Sequence, residues 1–369
     1  MLEAGVLEGR ELGEACCEDE GMRPELTVPG KLAPGDRVAV VSPGVAAPAR
    51  WPEVHELAMR QLREEIGVEP VEYPATRQWG ASPQARAADL MAAFADPQIK
   101  AILATVGGDD QITVLPYLDP QVAMANPKAF AGFSDCTNVL NWLWNLGIAG
   151  YHGGSTQIHL ARPGGLHPVS VTSLRAALFG GGELRLHPVE RFSEDSLDWG
   201  DPAGLAHPAP TRPAPPWEWH RAGRVVTGPT WGGNLEIIHW NLAVGRWVRP
   251  VADYAGCVLI LETSEEMPPA EEVFRMLRNM GERGLLAQFP AAVFGTAKAS
   301  SIERPVNSEG RERYRAGQRD AVLRAFDAYN PGAMIVFNVD IGHTDPQWVI
   351  PYGGTMTIDG PARTITARY

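Results

Sequence analysis

The chain has 369 residues, 44% of them hydrophobic and 21% charged, and carries a formal net charge of −12. That balance describes an ordinary globular protein long enough for two domains, and its sign argues against binding nucleic-acid polymers, which need a basic surface. No apolar run approaches the ~18 residues of a membrane span, and Cys16, Cys17, Cys136 and Cys257 have no metal-ligand spacing, which predicts reduced thiols and no metal site.

Residues 1–21 hold seven acidic side chains against one arginine, which predicts a mobile acidic tail. Met22, directly after it, is a second place at which translation could begin. The start of the chain lacks the basic and apolar regions of a signal peptide, so a cytoplasmic location is expected. From Lys31 onward strands and helices alternate. "DRVAVVSP" is a β-branched strand, and "WPEVHELAMRQLREEIG" is a helix with Val54, Ala58, Leu62 and Ile66 on one row and Gly67 as its stop. "VEPVEYP" is a strand. In "SPQARAADLMAAFADP", Ser82 is the expected N-cap and Pro83 the first helical residue. "KAILATVGGDD" and "KAFAGF" are strands, and "TNVLNWLWNLG" is a helix that should bury Val139, Trp142, Leu143 and Leu146. Such alternation predicts a mostly parallel, Rossmann-like sheet over 22–192.

The stretch 193–223 carries six prolines and no periodicity, which predicts a linker or long loop. Residues 224–369 then form a smaller α/β unit. Its expected strands are "CVLILE", "AAVFGTAKA" and "AMIVFNVDIGH", with helices at "AEEVFRMLRNMGERG" and "YRAGQRDAVLRAFDAYN". The short pieces "WVIPYGG", "TMTIDG" and "TITARY" complete it. A ligand site is expected between the two units.

Parallel sheets present functional groups at the C-terminal ends of their strands. Four such ends are polar: "TVGGDD", "GFSDCT", "LILETSEE" and "NVDIGHT". Together they offer glycine amides, a serine, a glutamate and a histidine, an inventory that suits acyl transfer. Ser134 stands between a strand and a helix start, where helix amides favour developing negative charge. Taken alone, this segment fits a helix capped by Ser134 or Asp135 better than it fits a nucleophile. Asp135 and Cys136 follow the serine, so the G-x-S-x-G elbow of α/β-hydrolases is absent. His343 is the best-placed base, although a hydrogen-bonded loop histidine would look the same. Glu262 ends an apolar strand, where a carboxylate needs a partner. Glu265 and Glu266 are expected to be solvated or to complement a helix dipole. The Gly107–Gly108 turn could donate an oxyanion amide or only turn the chain, and no phosphate-loop or zinc motif occurs.

In this order "DRVAVVSP", "ILATVGGDDQITVLPYLD", "GFSDCTNVLNWL", "WGGNLEIIHW", "LILETSEEMPPAEEVFRMLRNM" and "NVDIGHTDPQWVIPYGG" resemble the serine peptidase family of LD-carboxypeptidases and microcin C immunity proteins. The resemblance runs from about Pro29 to the C-terminus. It implies a Ser134–Glu262–His343 triad, with an oxyanion hole from the backbone of Asp135 and of Gly107 or Gly108. It also implies a homodimer, no cofactor and a small peptide or aminoacyl-nucleotide substrate. The stretches "LETSEE" and "WEWHRAG" through "WGGNLE" look closer to the microcin-immunity branch, whose members cleave the amide between an acidic amino acid and a nucleotide. Asn234, Trp217 and Trp219 are then expected to bind substrate, the tryptophans by stacking on a base or, equally, by pinning the proline-rich loop. Trimming of murein tetrapeptides is the alternative activity. A non-catalytic binding protein would need a broken triad, and all three residue types are present. Where the family often has Gly-Pro after the aromatic of "GYHGGST", this chain has Gly153–Gly154, a departure that bears on substrate preference more than on catalysis.

Overall fold

A computed structural model describes residues 26–195 and 198–369; the expected acidic tail, with Cys16, Cys17 and Met22, lies outside the described residues. In the first half the chain runs β1 (Arg37–Val41), α1 (Pro52–Gln61), β2 (Glu69–Glu72), α2 (Pro83–Ala95), β3 (Ile99–Ala104), α3 (Pro120–Ala125), β4 (Ala129–Gly132), α4 (Thr137–Asn145), β5 (Gly150–His152) and α5 (Pro168–Leu178). Local signals explain the boundaries. Ser82 Oγ accepts the Ala85 amide at 3.2 Å and Pro83 opens α2. Gly67, at φ 88°, ends the α1 segment after one π turn. Val54, Ala58, Leu62 and Ile66 are fully buried, as their shared row predicts.

The chain continues through β6 (Glu183–Leu186), β7 (Arg191–Phe192), β8 (Arg212–Pro213), β9 (Glu218–His220), β10 (Val225–Asn234), α6 (Leu235–Val244), β11 (Val258–Glu262), α7 (Ala270–Glu282), β12 (Ala291–Gly295), α8 (Ser308–Tyr329), β13 (Met334–Val339), β14 (Ile350–Tyr352), β15 (Thr355–Asp359) and β16 (Thr364–Arg368). The fold is mixed α/β with two principal sheets. The first has the order β14-β5-β4-β3-β1-β2 and is parallel except at β14. The second runs β6-β16-β15-β10-β11-β12-β13-β9, with β10 to β13 parallel and antiparallel strands on either side. Strands enclosed on both faces need unbroken apolar runs, and "VLIL" of β11 and "MIV" of β13 supply them.

Four elements depart from what local pattern predicts. The "WVIPYGG" strand β14 pairs with β5 and closes the first sheet, while β6 from the first half joins the second. Inside the proline-rich stretch, β9 pairs with β13 as an edge strand, the position a proline-flanked strand tolerates best. Helix α4 is buried all round from Thr137 to Trp144 rather than along one face. It lies between the two halves. There Trp144 stacks on Tyr254, and Tyr254 and Phe289 pack on Trp231, whose Nε1 donates to Asn141 Oδ1 at 3.1 Å. Most buried apolar residues of both halves form one continuous core, with Val54, Ala58 and Ala161 in a small cluster of their own, which leaves little freedom for one half to move on the other.

Candidate active site

Ser134 sits where β4 turns toward α4. Phe133 is extended, and Ser134 takes φ +59°, in the left-handed region that residues with a Cβ avoid. Holding such a conformation costs roughly 1–3 kcal/mol, a strain typical of functional turns. The first bond of the short helical turn Ser134–Cys136 runs from Cys136 N to Phe133 O at 3.1 Å. The Asp135 amide therefore belongs to the helix-start donors that find no acceptor inside the helix. Gly107 approaches from the end of β3. A Cβ on it would lie 3.0 Å from Asp135 N and 3.2 Å from Ser134 Oγ, so a larger residue would crowd the hydroxyl.

The Asp135 side chain does not cap its own helical turn. Its Oδ2 accepts the Gln111 amide at 3.0 Å and its Oδ1 accepts the Asn138 side-chain amide at 2.7 Å, tying the glycine loop to the Ser134 turn. Burial pushes this carboxyl up to about 7. Burial likewise pushes the neighbouring Cys136 thiol up to about 12. It stays protonated, and so offers no competing nucleophile.

The other two groups come from the second sheet. His343 Nε2 lies 3.1 Å from Ser134 Oγ, and its Nδ1 lies 2.5 Å from Oε2 of Glu262, the last residue of β11. Glu262 is 3% exposed, and its Oε1 accepts the Asn234 side-chain amide at 3.1 Å. Asn234 also caps α6, with Oδ1 accepting the Ile237 amide at 3.0 Å, and donates its own amide to Thr137 Oγ1 at 3.0 Å. It is buried beneath the site. Burial alone would lower the His343 pKa, but the Glu262 and Glu265 carboxylates outweigh it and raise it to about 10. Glu265 is exposed, as expected, and in addition its Oε2 lies 3.0 Å from His343 Nε2.

Hydroxyl, imidazole and carboxylate thus stand in hydrogen-bonded series beside helix-start amides, an arrangement able to carry acyl transfer. Among the described residues no group of three or more His, Cys, Asp or Glu is placed to hold a metal ion, and no helix is long and apolar enough to cross a membrane. The sequence profile of the LD-carboxypeptidase N-terminal domain matches residues 38–153, and that of the LD-carboxypeptidase C-terminal domain matches residues 227–358. The chain belongs to the LD-carboxypeptidase family.

Relatives of this family cover nearly the whole chain. The carboxypeptidase-family protein YocD of Bacillus subtilis is 25% identical over 341 residues, 90% of this chain and 96% of YocD. The microcin C7 self-immunity protein MccF of Escherichia coli is 25% identical over 289 residues, 73% of this chain and 74% of MccF. A structure of MccF in complex with glutamyl sulfamoyl guanosine superposes with a TM-score of 0.78 at 20% identity, over 94% of this chain and 99% of that one. At that identity the likeness is one of fold.

The Gly153–Gly154 departure from the family pattern has a structural reason. Gly154 takes φ +76°, which proline cannot adopt, and its amide donates to Gln347 Oε1 at 3.2 Å, which proline could not do. Beside His343 opens a cleft of about 680 Å³, counted to its mouth. His159, Arg162, Trp199, Lys298 and Asp345 line it. His159 is pushed down to about 4 by burial and is neutral. Trp199 packs edge-on against Trp51 at 5.1 Å. It is the cleft's tryptophan, and local pattern did not single it out. Trp217 and Trp219 lie elsewhere: Trp219 pairs with Val336 on the edge strand, under Arg363, and Trp217 is 9% exposed next to it.

One wall of the cleft, Ser193–Asp195, is held by a buried ion cluster. Glu194, with its side chain fully enclosed, pairs with Arg311 and Arg315 of α8 and with Arg212, and accepts the Ala299 amide. Glycine at 342 sets the Glu262 contact, since a Cβ there would lie 2.9 Å from Glu262 Cβ and 3.1 Å from its Oε2. Gly342→Ala is expected to displace the carboxylate from His343 and to lower kcat about 100-fold. A kcat within threefold of the parent would show that the contact tolerates the shift.

Proposed function

We propose that the protein is a serine hydrolase that cleaves the amide joining an amino acid to a nucleotide or nucleotide-like group. The observation that carries this reading is the unbroken series Ser134 Oγ–His343–Glu262, with both contacts at hydrogen-bond distance. Ser134 Oγ attacks the amide carbonyl as His343 Nε2 takes its proton, and Glu262 orients the imidazole and stabilises its charge. The Asp135 amide and one amide of the Gly107–Gly108 turn receive the oxyanion. His343 then protonates the departing nitrogen. Water, activated by the same imidazole, releases the acyl group and restores Ser134.

A nucleotide on the leaving side is supported by the cleft, where Trp199 offers a ring face for a base and Arg162 and Lys298 offer cations for an acidic group. It is also supported by the likeness to MccF, whose structure holds glutamyl sulfamoyl guanosine. A second reading, removal of the terminal D-alanine from murein tetrapeptides, is favoured by the LD-carboxypeptidase profiles themselves. Incubation with aspartyl sulfamoyl adenosine and with a murein tetrapeptide, side by side, separates the two. Release of free aspartate is the expected result; release of D-alanine with the nucleoside untouched would reverse the order.

A further inference from the structure

The turn after Glu262 brings a second carboxylate onto the same imidazole. Glu265 Oε2 lies 3.0 Å from His343 Nε2, the nitrogen that is also 3.1 Å from Ser134 Oγ. A single ring nitrogen cannot serve both. When Nε2–H is given to Glu265 and Nδ1–H to Glu262, the ring is an imidazolium and cannot accept the Ser134 proton.

The turn that carries Glu265 is anchored. Glu236 Oε1, on the first turn of α6, accepts both the amide and the hydroxyl of Ser264, at 2.9 Å and 2.6 Å. The Arg304 guanidinium donates to the Glu266 carbonyl from the far side. The Glu265 side chain itself is 56% exposed, so a dissolved cation can reach it. Other titratable groups surround the ring. His152 from β5 and His159 from the cleft floor are both lowered by burial and so neutral, while Lys298 and Asp345 stand in the cleft wall. Glu262 and Glu265 are the two groups that hydrogen-bond the ring as acceptors.

We propose that Glu265 binds a free amino group on the acyl side of the scissile amide and, until that ammonium arrives, withholds His343 from Ser134. Because Glu265 and Ser134 contact one nitrogen, they lie within reach of a single aminoacyl unit, whose α-nitrogen is two bonds from the attacked carbonyl carbon. When the ammonium pairs with Glu265, the carboxylate leaves Nε2 and the ring proton passes to bulk water. The neutral Nε2 then accepts the Ser134 proton. Substrates acylated at that nitrogen carry no charge there and leave the imidazolium in place. This inference rests on the Ser134–His343–Glu262 reading given above.

Two measurements test it on the full chain. In the first, aspartyl sulfamoyl adenosine and its N-acetyl derivative are compared as substrates of the parent and of Glu265→Gln. The parent is expected to prefer the free amine by about 10- to 100-fold in kcat/KM, the range of a charge-assisted hydrogen bond, and the variant to bring the ratio near one. Equal rates in the parent, or a preference retained by the variant, overturn the proposal. The second measurement needs no substrate. Labelling of Ser134 by a neutral fluorophosphonate is followed against pH. Removing the Glu265 charge lowers the His343 pKa, so the labelling midpoint should move to lower pH, with roughly tenfold faster labelling at pH 7 for each unit moved. Coincident midpoints with labelling intact overturn the role of Glu265 alone. Absence of labelling in both proteins at every pH overturns the nucleophile, and this inference with it.

Discussion

Ser134→Ala is expected to lower kcat about a millionfold on any amide the parent hydrolyses, the scale on which serine hydrolases lose activity with their nucleophile. In the proposed reaction the Ser134 hydroxyl oxygen bonds to substrate, and neither Cys136 nor Thr137 beside it is free to take its place. Cys136 is buried and its thiol is pushed up to about 12, while Thr137 Oγ1 is engaged by the Asn234 amide. The fold should survive, because deleting one oxygen leaves the turn and its Asp135 tie to the glycine loop in place. Because nucleophile and base act as a unit, Ser134→Ala combined with His343→Ala should be little worse than either alone. Kinetics together with a thermal melt check this. Turnover within tenfold of the parent at an unchanged melting temperature would remove Ser134 from the reaction.

Glu262→Gln is expected to cost about ten-thousandfold in kcat, as replacing the acid of a serine triad by its amide does when the geometry is kept. The amide NH2 can donate to Nδ1, which leaves the proton on Nε2, where Ser134 needs an acceptor. Asn234 would retain an oxygen to donate to. The pH profile gives a second reading. Burial lowers the His343 pKa and the two carboxylates raise it to about 10, so removing one of them moves the acid limb of kcat/KM to lower pH. A variant with near-parent kcat and an unmoved limb would leave Glu262 with a structural role only.

Much of the fold was legible locally. The Val54–Ile66 row, the Ser82 cap with Pro83, and the apolar strands β11 and β13 obey rules that act over a few residues, and each appears as its segment predicts. The strand ends that could carry chemistry were legible for the same reason: a polar group directly after a buried run has few other places to go. What stayed hidden depends on partners far away in the chain. "WVIPYGG" has the pattern of a strand wherever it pairs, and its place beside β5 is set by residues about 200 positions earlier. The hydrogen bond of Asn234 to Glu262 joins residues 28 positions apart and has no local signature. Glu265, exposed by pattern, meets His343 because Glu236 anchors its turn. Trp199, in a stretch without periodicity, reaches the cleft wall beside Trp51.

By itself the sequence determined the succession of elements, the buried rows, the acyl-transfer inventory and the family resemblance. Periodicity, caps and turn residues are short-range, and six ordered motifs are hard to assemble by chance. The tertiary structure supplied the contacts by which Ser134, from the first sheet, meets Glu262 and His343, from the second, as the resemblance implied. It alone lodged α4 between the halves, put Asn234 against Glu262, and set Glu265 against the nitrogen that also faces Ser134. Those contacts join residues far apart in sequence, and no local rule measures the packing of Thr137 on Asn234 or of Gly342 on Glu262 that brings them to hydrogen-bond distance.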